Sequence, residues 1–100
     1  MKIIASPPLR RFSTKHPDGH SAITLWEDKV KAAKWQSPGE IKAEFSSASF
    51  VAHNRVVFNI GGNKYRLIVA IAYRVGVVYI KFIGTHAEYN AVDAATVEME

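Results

Sequence analysis

The chain has 100 residues, 48% of them apolar, which is enough for one compact domain over residues 1–100 and too little for a second core. It has no cysteine, which excludes a disulfide framework or thiolate metal site. It also shows no signal-like start and no apolar run near the ~20 residues of a membrane span, so a cytoplasmic protein with no membrane partner is expected. The formal charge of +4 is uneven: residues 1–87 hold all 13 Lys and Arg but 5 of the 9 acids, leaving +8. That density suits a polyanion such as RNA, although many small basic domains carry such charge for solubility alone.

In chain order, residues 2–5 (KIIA) read as a short strand. Ser6 and Pro7 then supply an N-cap and a first helical position for a helix to about Lys15. The sequence His16-Pro17-Asp18-Gly19 breaks it, and a second helix begins near His20 or Ser21, with Ile23, Trp26, Val30 and Ala33 at helical spacing. Ser37, Pro38 and Glu40 repeat a capping pattern for one short helical turn carrying Ile41 and Lys42. Trp26 and Trp35 read as helix-to-sheet packing rather than base-stacking platforms.

Beyond Phe50 the texture becomes β-branched and aromatic, with strands at 56–60, 65–73 and 77–83. The connections at Gly61-Gly62-Asn63 and Val75-Gly76 are short enough only for antiparallel hairpins. Thr85 with Glu88 makes a capping box, so a short helix with His86 and Tyr89 should follow, and the acidic tail from about 94 to 100 is a candidate for fraying. The expected fold is α+β: two N-terminal helices on a three- to four-stranded antiparallel sheet, closed by a short C-terminal helix.

Strand alternation assigns Tyr65, Leu67, Val69, Ile71 and Tyr73 to the core and Lys64, Arg66, Ile68 and Ala70 to the other face. A turn on Gly61-Gly62 or Gly62-Asn63 adds Asn59, Val57 and Arg55 to that second face. A turn on Val75-Gly76 adds Tyr79 and Lys81, and brings Thr85 and His86 beside Arg66, provided the third strand keeps its parity. Such a cluster suits metal-independent RNA cleavage, in which the 2′-hydroxyl attacks the adjacent phosphorus. Histidine's ordinary pKa near ~6.5 makes His86 the proton handler. Arg66 is the phosphate clamp, Lys64 shares its charge, and Tyr89 contacts a phosphate or base. Arg55, Asn59, Asn63, Lys81, Lys42 and Thr85 complete an RNA-binding set. Each has a plainer alternative: strand lysines and arginines commonly solvate an open sheet face, Asn63 suits a turn, and a lone histidine beside a capping threonine is commonly structural. The four histidines lack metal-site spacing and no glycine-rich phosphate loop is present, so no metal or cofactor is expected.

Residues 54–67 (NRVVFNIGGNKYRL) and 82–89 (FIGTHAEY) resemble the signature segments of the HigB toxin family, in the RelE/ParE-like superfamily. Weaker similarity runs through IIA at 3–5, HPD at 16–18, KW at 34–35 and IKAEF at 41–45, covering the chain to about Asp93. The resemblance implies a RelE-like fold and a type II toxin acting as a ribosome-associated messenger RNA interferase. It also implies a HigA-like helix-turn-helix antitoxin as partner. The family's shared polar positions fall on Arg55, Asn59, Asn63, Lys64, Arg66, Thr85, His86, Glu88 and Tyr89. Two other readings fit the same chain: a noncatalytic ParE-like inhibitor of DNA gyrase, and a basic RNA-binding module without toxicity.

Overall fold

The computed structural model describes residues 1–99. The expected α+β architecture is present, with a helical layer on one face of a larger sheet than the sequence announces. In chain order the elements are β1 (Lys2–Ile4), α1 (Pro7–Lys15), a 3₁₀ turn (Pro17–Gly19), α2 (His20–Ala32), α3 (Pro38–Glu44), β2 (Ser49–Val51), β3 (Arg55–Ile60), β4 (Tyr65–Ala72), β5 (Val77–Thr85) and α4 (His86–Asn90). Five strands lie in the order β1-β5-β4-β3-β2. Two of them extend the antiparallel meander: β2 pairs antiparallel with β3, and β1 pairs parallel with β5. A parallel pair needs a long crossover, which the intervening helices supply.

The core lies between helices and sheet. Leu9 and Phe12 of α1, Ile23, Trp26 and Val30 of α2, and Ile41 of α3 pack on the inward residues of β3, β4 and β5. Phe58 is its centre, with the Trp26 and Phe45 rings edge-on at 5.5 and 5.0 Å and Trp35 near-parallel at 6.5 Å. Both tryptophans are packing residues, 2% and 4% exposed. No helix among the described residues is long and apolar enough to cross a membrane.

The first hairpin keeps the expected parity, with Asn59 opposite Arg66 and Ile60 opposite Tyr65. Its turn is four residues long, Gly61–Lys64, and Gly61 and Gly62 both take positive φ, a region costly for residues with a Cβ. The second hairpin departs from expectation. Ala72 pairs with Val77, so the connection spans residues 73–76, and a bulge then shifts the register: Val69 faces Ile80 but Ile68 faces Phe82. Lys81 is the extra residue. The inward residues of β5 are consequently Val78, Ile80 and Ile83, while Phe82 turns to the other face. Gly84, not Thr85, stands opposite Arg66, and Thr85 stands opposite Tyr65.

Past about residue 94, where the sequence allows fraying, the described tail lies against the outer face of the sheet. Val92, Ala94 and Val97 lie over a second apolar cluster of Val57, Ile68 and Phe82 on the outer face. Asp93 shapes this segment by accepting from the Ala95, Thr96 and Val97 N–H groups. The apolar outer residues explain the packing, because leaving them open to water would forfeit the stabilisation that burial gives.

Candidate nucleic-acid interface

Polar side chains converge where the β3–β4 turn, the end of β5 and α4 meet. Thr85 starts α4 with a complete capping box: the Glu88 N–H donates to Thr85 Oγ1 (3.2 Å) and the Thr85 N–H donates to Glu88 Oε1 (2.8 Å). The backbone N–H of Thr85 holds the Glu88 carboxyl below its usual range, with smaller help from Lys15 and His16. Gly84 makes this entry possible, since a Cβ there would stand 2.6 Å from Phe82 Cζ and 3.0 Å from Glu88 Oε1.

Arg66 is fixed on both sides. Its Nη2 donates to Asn63 Oδ1 (3.0 Å) and its Nη1 to the Asn63 carbonyl (3.2 Å), while its guanidinium carbon lies 5.8 Å from the centroid of the Tyr89 ring. This arrangement orients a half-buried cation without neutralising it. One helical turn before Tyr89, exposed His86 places its Nδ1 3.2 Å from Asn90 Nδ2. When that amide donates, Nδ1 is the acceptor and Nε2 carries the proton. Arg66, Asn63, Asn59, Tyr89 and His86 thus share one end of the sheet, through the Arg66–Gly84 and Arg66–Asn59 pairings and the short α4.

Other expected residues are placed elsewhere. Lys64 turns toward the helical layer, where its Nζ lies 3.1 Å from Asp18 Oδ2. Lys42 donates to the Ala48 carbonyl (2.8 Å) beside α3 and does not join the cluster. Arg55 is 6% exposed: its Nη1 donates to the Val97 carbonyl (2.6 Å) and the Ala94 carbonyl (3.3 Å), and its Nη2 to Glu98 Oε2 (2.7 Å). Lys81 pairs with the other oxygen of Glu98 (3.0 Å). The freely solvated basic face expected around Arg55 and Lys81 is therefore covered by the chain's own tail.

Three participants escaped the sequence reading. Asp18 accepts from the Tyr65 hydroxyl (2.7 and 2.8 Å) as well as from Lys64; these bonds, Tyr65 first, hold its carboxyl below the usual range and push the phenol up. Its only sequence signal is the HPD string. His16 stacks on Phe12 at 4.4 Å and lines a groove of about 160 Å³ with Arg11, Lys15, Glu88 and Met99. Glu98 carried no signal beyond its charge. Among the described residues no three His, Asp or Glu side chains are grouped to hold a metal ion.

The profile of the HigB toxin family, described as the RelE-like toxic component of a toxin-antitoxin system, matches residues 20–92. The chain belongs to this family. Its matched span holds the β3–β4 hairpin, all of β5 and α4. The chain is also 25% identical over 92 residues to the mRNA interferase toxin HigB of Escherichia coli strain K12, covering 90% of this chain and 88% of that protein. A second relative, the mRNA interferase HigB of E. coli O6:H1, is 28% identical over 92 residues, covering 90% and 89%. As a toxic component of such a system, a HigB-family chain has an antitoxin as its partner. Arg11, Lys15, His16 and Asp18, like Glu98, lie outside the span matched by the profile.

Proposed function

We propose that this chain is an endoribonuclease that cuts messenger RNA without a metal, on the ribosome, using the RNA's own 2′-hydroxyl as nucleophile. The observation that carries this reading is Arg66, held between Asn63 and the Tyr89 ring while His86 stands one turn away on the same helix. The His86 imidazole, on releasing Nδ1 from the Asn90 amide, takes the 2′-hydroxyl proton at that nitrogen as the 2′ oxygen bonds to phosphorus. Arg66 offers forked donors to the non-bridging oxygens, whose charge grows in the phosphorane. The bond from phosphorus to the 5′ oxygen then breaks, and the departing oxygen takes a proton from water. A 2′,3′-cyclic phosphate and a 5′-hydroxyl remain. Lys64 adds positive charge nearby and joins the site directly only on leaving Asp18. The +8 of residues 1–87 supports binding to ribosomal RNA, and the names of the E. coli relatives support messenger RNA as substrate. The same reading gives a HigA-like helix-turn-helix antitoxin as the resting partner.

End-mapping of messenger RNA from cells expressing the protein without antitoxin tests it. Cuts within translated frames bearing 2′,3′-cyclic phosphate ends are expected. Intact transcripts with broken chromosomes would instead indicate a gyrase poison, and unaffected growth a plain RNA-binding module.

A further inference from the structure

The outer face contains an anion seat already occupied by the chain itself. One Glu98 oxygen accepts from Arg55 Nη2 at 2.7 Å and the other from Lys81 Nζ at 3.0 Å, so the carboxylate bridges two cations contributed by different strands. Arg55 is buried, with 7% of its side chain exposed, and Lys81 retains 24%, whereas Glu98 is 62% exposed. The cations are thus built into the fold and the anion is its loosest member. Two features fix the seat independently of Glu98. The bulge at Lys81 turns that side chain outward beside β4, and the Ala94 and Val97 carbonyls orient the Arg55 guanidinium through Nη1. Nη2 and the Lys81 ammonium then face a ligand with two terminal oxygens.

A phosphodiester presents two non-bridging oxygens from one centre and has the same negative charge as a carboxylate, so it can take both donors in place of Glu98. The seat also lies in line with the proposed cut. Arg55 and Asn59 are four residues apart on β3, about 13 Å at strand rise, and Asn59 stands opposite Arg66. A single strand held at Arg66 can reach the seat within a few nucleotides.

We propose that Arg55 and Lys81 form a second phosphate-binding seat for single-stranded RNA, flanking the proposed cleavage centre, and that Glu98 masks it until an RNA phosphate displaces the carboxylate. This rests on the nuclease reading only for the identity of the polyanion. The tail's apolar residues stay over Val57, Ile68 and Phe82, so only the Glu98 side chain has to swing into solvent.

The test is titration of the full-length protein with a fluorescent, fully 2′-O-methylated RNA dodecamer, which is bound but has no free 2′-hydroxyl to react. Glu98→Ala should bind roughly tenfold tighter at low salt, because the phosphate no longer has to displace a carboxylate from Arg55 and Lys81. Asp28→Ala removes an equal charge from the exposed side of α2 and should leave binding nearly unchanged. In Glu98→Ala/Lys81→Ala the gain should vanish. The proposal is overturned if Glu98→Ala binds no tighter than the unaltered protein, if Asp28→Ala matches its gain, or if the gain survives loss of Lys81. Cleavage of an all-ribose message by the unaltered protein is scored separately. Absence of cleavage rejects the nuclease reading and leaves the seat standing, while cleavage without a Glu98→Ala gain rejects the seat alone.

Discussion

The Arg66 guanidinium carbon lies 5.8 Å from the centre of the Tyr89 ring, so a strand residue and a residue of the last short helix form one unit at the end of the sheet. If Arg66 and His86 perform the chemistry proposed for them, Arg66→Ala and His86→Ala each lower cleavage by about a hundredfold or more, a loss typical of removing an electrostatic or proton-transfer group. Single-turnover rates on a programmed ribosome measure this. Near-normal rates in both variants would reject the site.

Tyr89 separates orientation from chemistry. Tyr89→Phe keeps a ring against Arg66 and should retain most activity, whereas Tyr89→Ala removes the face that orients the guanidinium and should cost roughly tenfold. Equal losses in the two variants would assign the hydroxyl, rather than the ring, to the reaction.

The 2′ oxygen at the cut is the proposed nucleophile, so a message with a single 2′-deoxy nucleotide there should bind normally and remain uncut at that position. Continued cleavage at the substituted nucleotide would exclude internal attack and require an external nucleophile.

Three carboxylates make acid stability a readable property. The Tyr65 hydroxyl, then Lys64, lowers Asp18; the Thr85 N–H lowers Glu88; Lys81, then Arg55, lowers Glu98. A carboxyl lowered in the folded state contributes stability that is fully present above its unfolded value, about 4, and is lost as pH falls through the folded value. Urea midpoints should therefore drop below about pH 4. Asp18→Asn keeps an acceptor for Tyr65 but cannot titrate, so its deficit against the parent should shrink between about pH 6 and pH 3. A deficit independent of pH would contradict the assignment. At the alkaline end Tyr65 and Tyr73 are raised, by Asp18 and by burial respectively, so stability should fall only as pH passes about 10.

Phe58 is the ring on which Trp26, Trp35 and Phe45 converge, and it is 1% exposed. Phe58→Ala should cost about 3–5 kcal/mol, because it combines lost transfer energy with a cavity that three large rings cannot fill. Urea unfolding of the variant measures the loss, and a change under about 1 kcal/mol would place the centre of the core elsewhere.

Much of the architecture was legible because its signals are local. Ile23, Trp26 and Val30 announce α2 by helical spacing, Tyr65, Leu67, Val69 and Ile71 announce the buried face of β4 by strict alternation, and Thr85 with Glu88 fixes the start of α4 by a three-residue relation. The short strands β1 and β2 were less visible as sheet members, since three residues give little periodicity and their pairing depends on distant partners.

The sequence by itself determined the helices, the three long strands, the inward face of β3 and β4 and the segments around Arg66 and His86, because periodicity and capping act over a few neighbouring residues. Only the tertiary structure decided how the outer face is used. The bulge at Lys81 shifts the register by one between the Ala72–Val77 and Tyr65–Thr85 ends of the β4–β5 pair, and alternation along β5 alone does not reveal it. Arg55 is buried because a segment some forty residues later in the chain covers Val57, Ile68 and Phe82, and brings two carbonyls and a carboxylate to its guanidinium. Long-range pairings of this kind leave no periodic trace, since the free energy that selects them is that of closing a surface which exists only once the strands have come together.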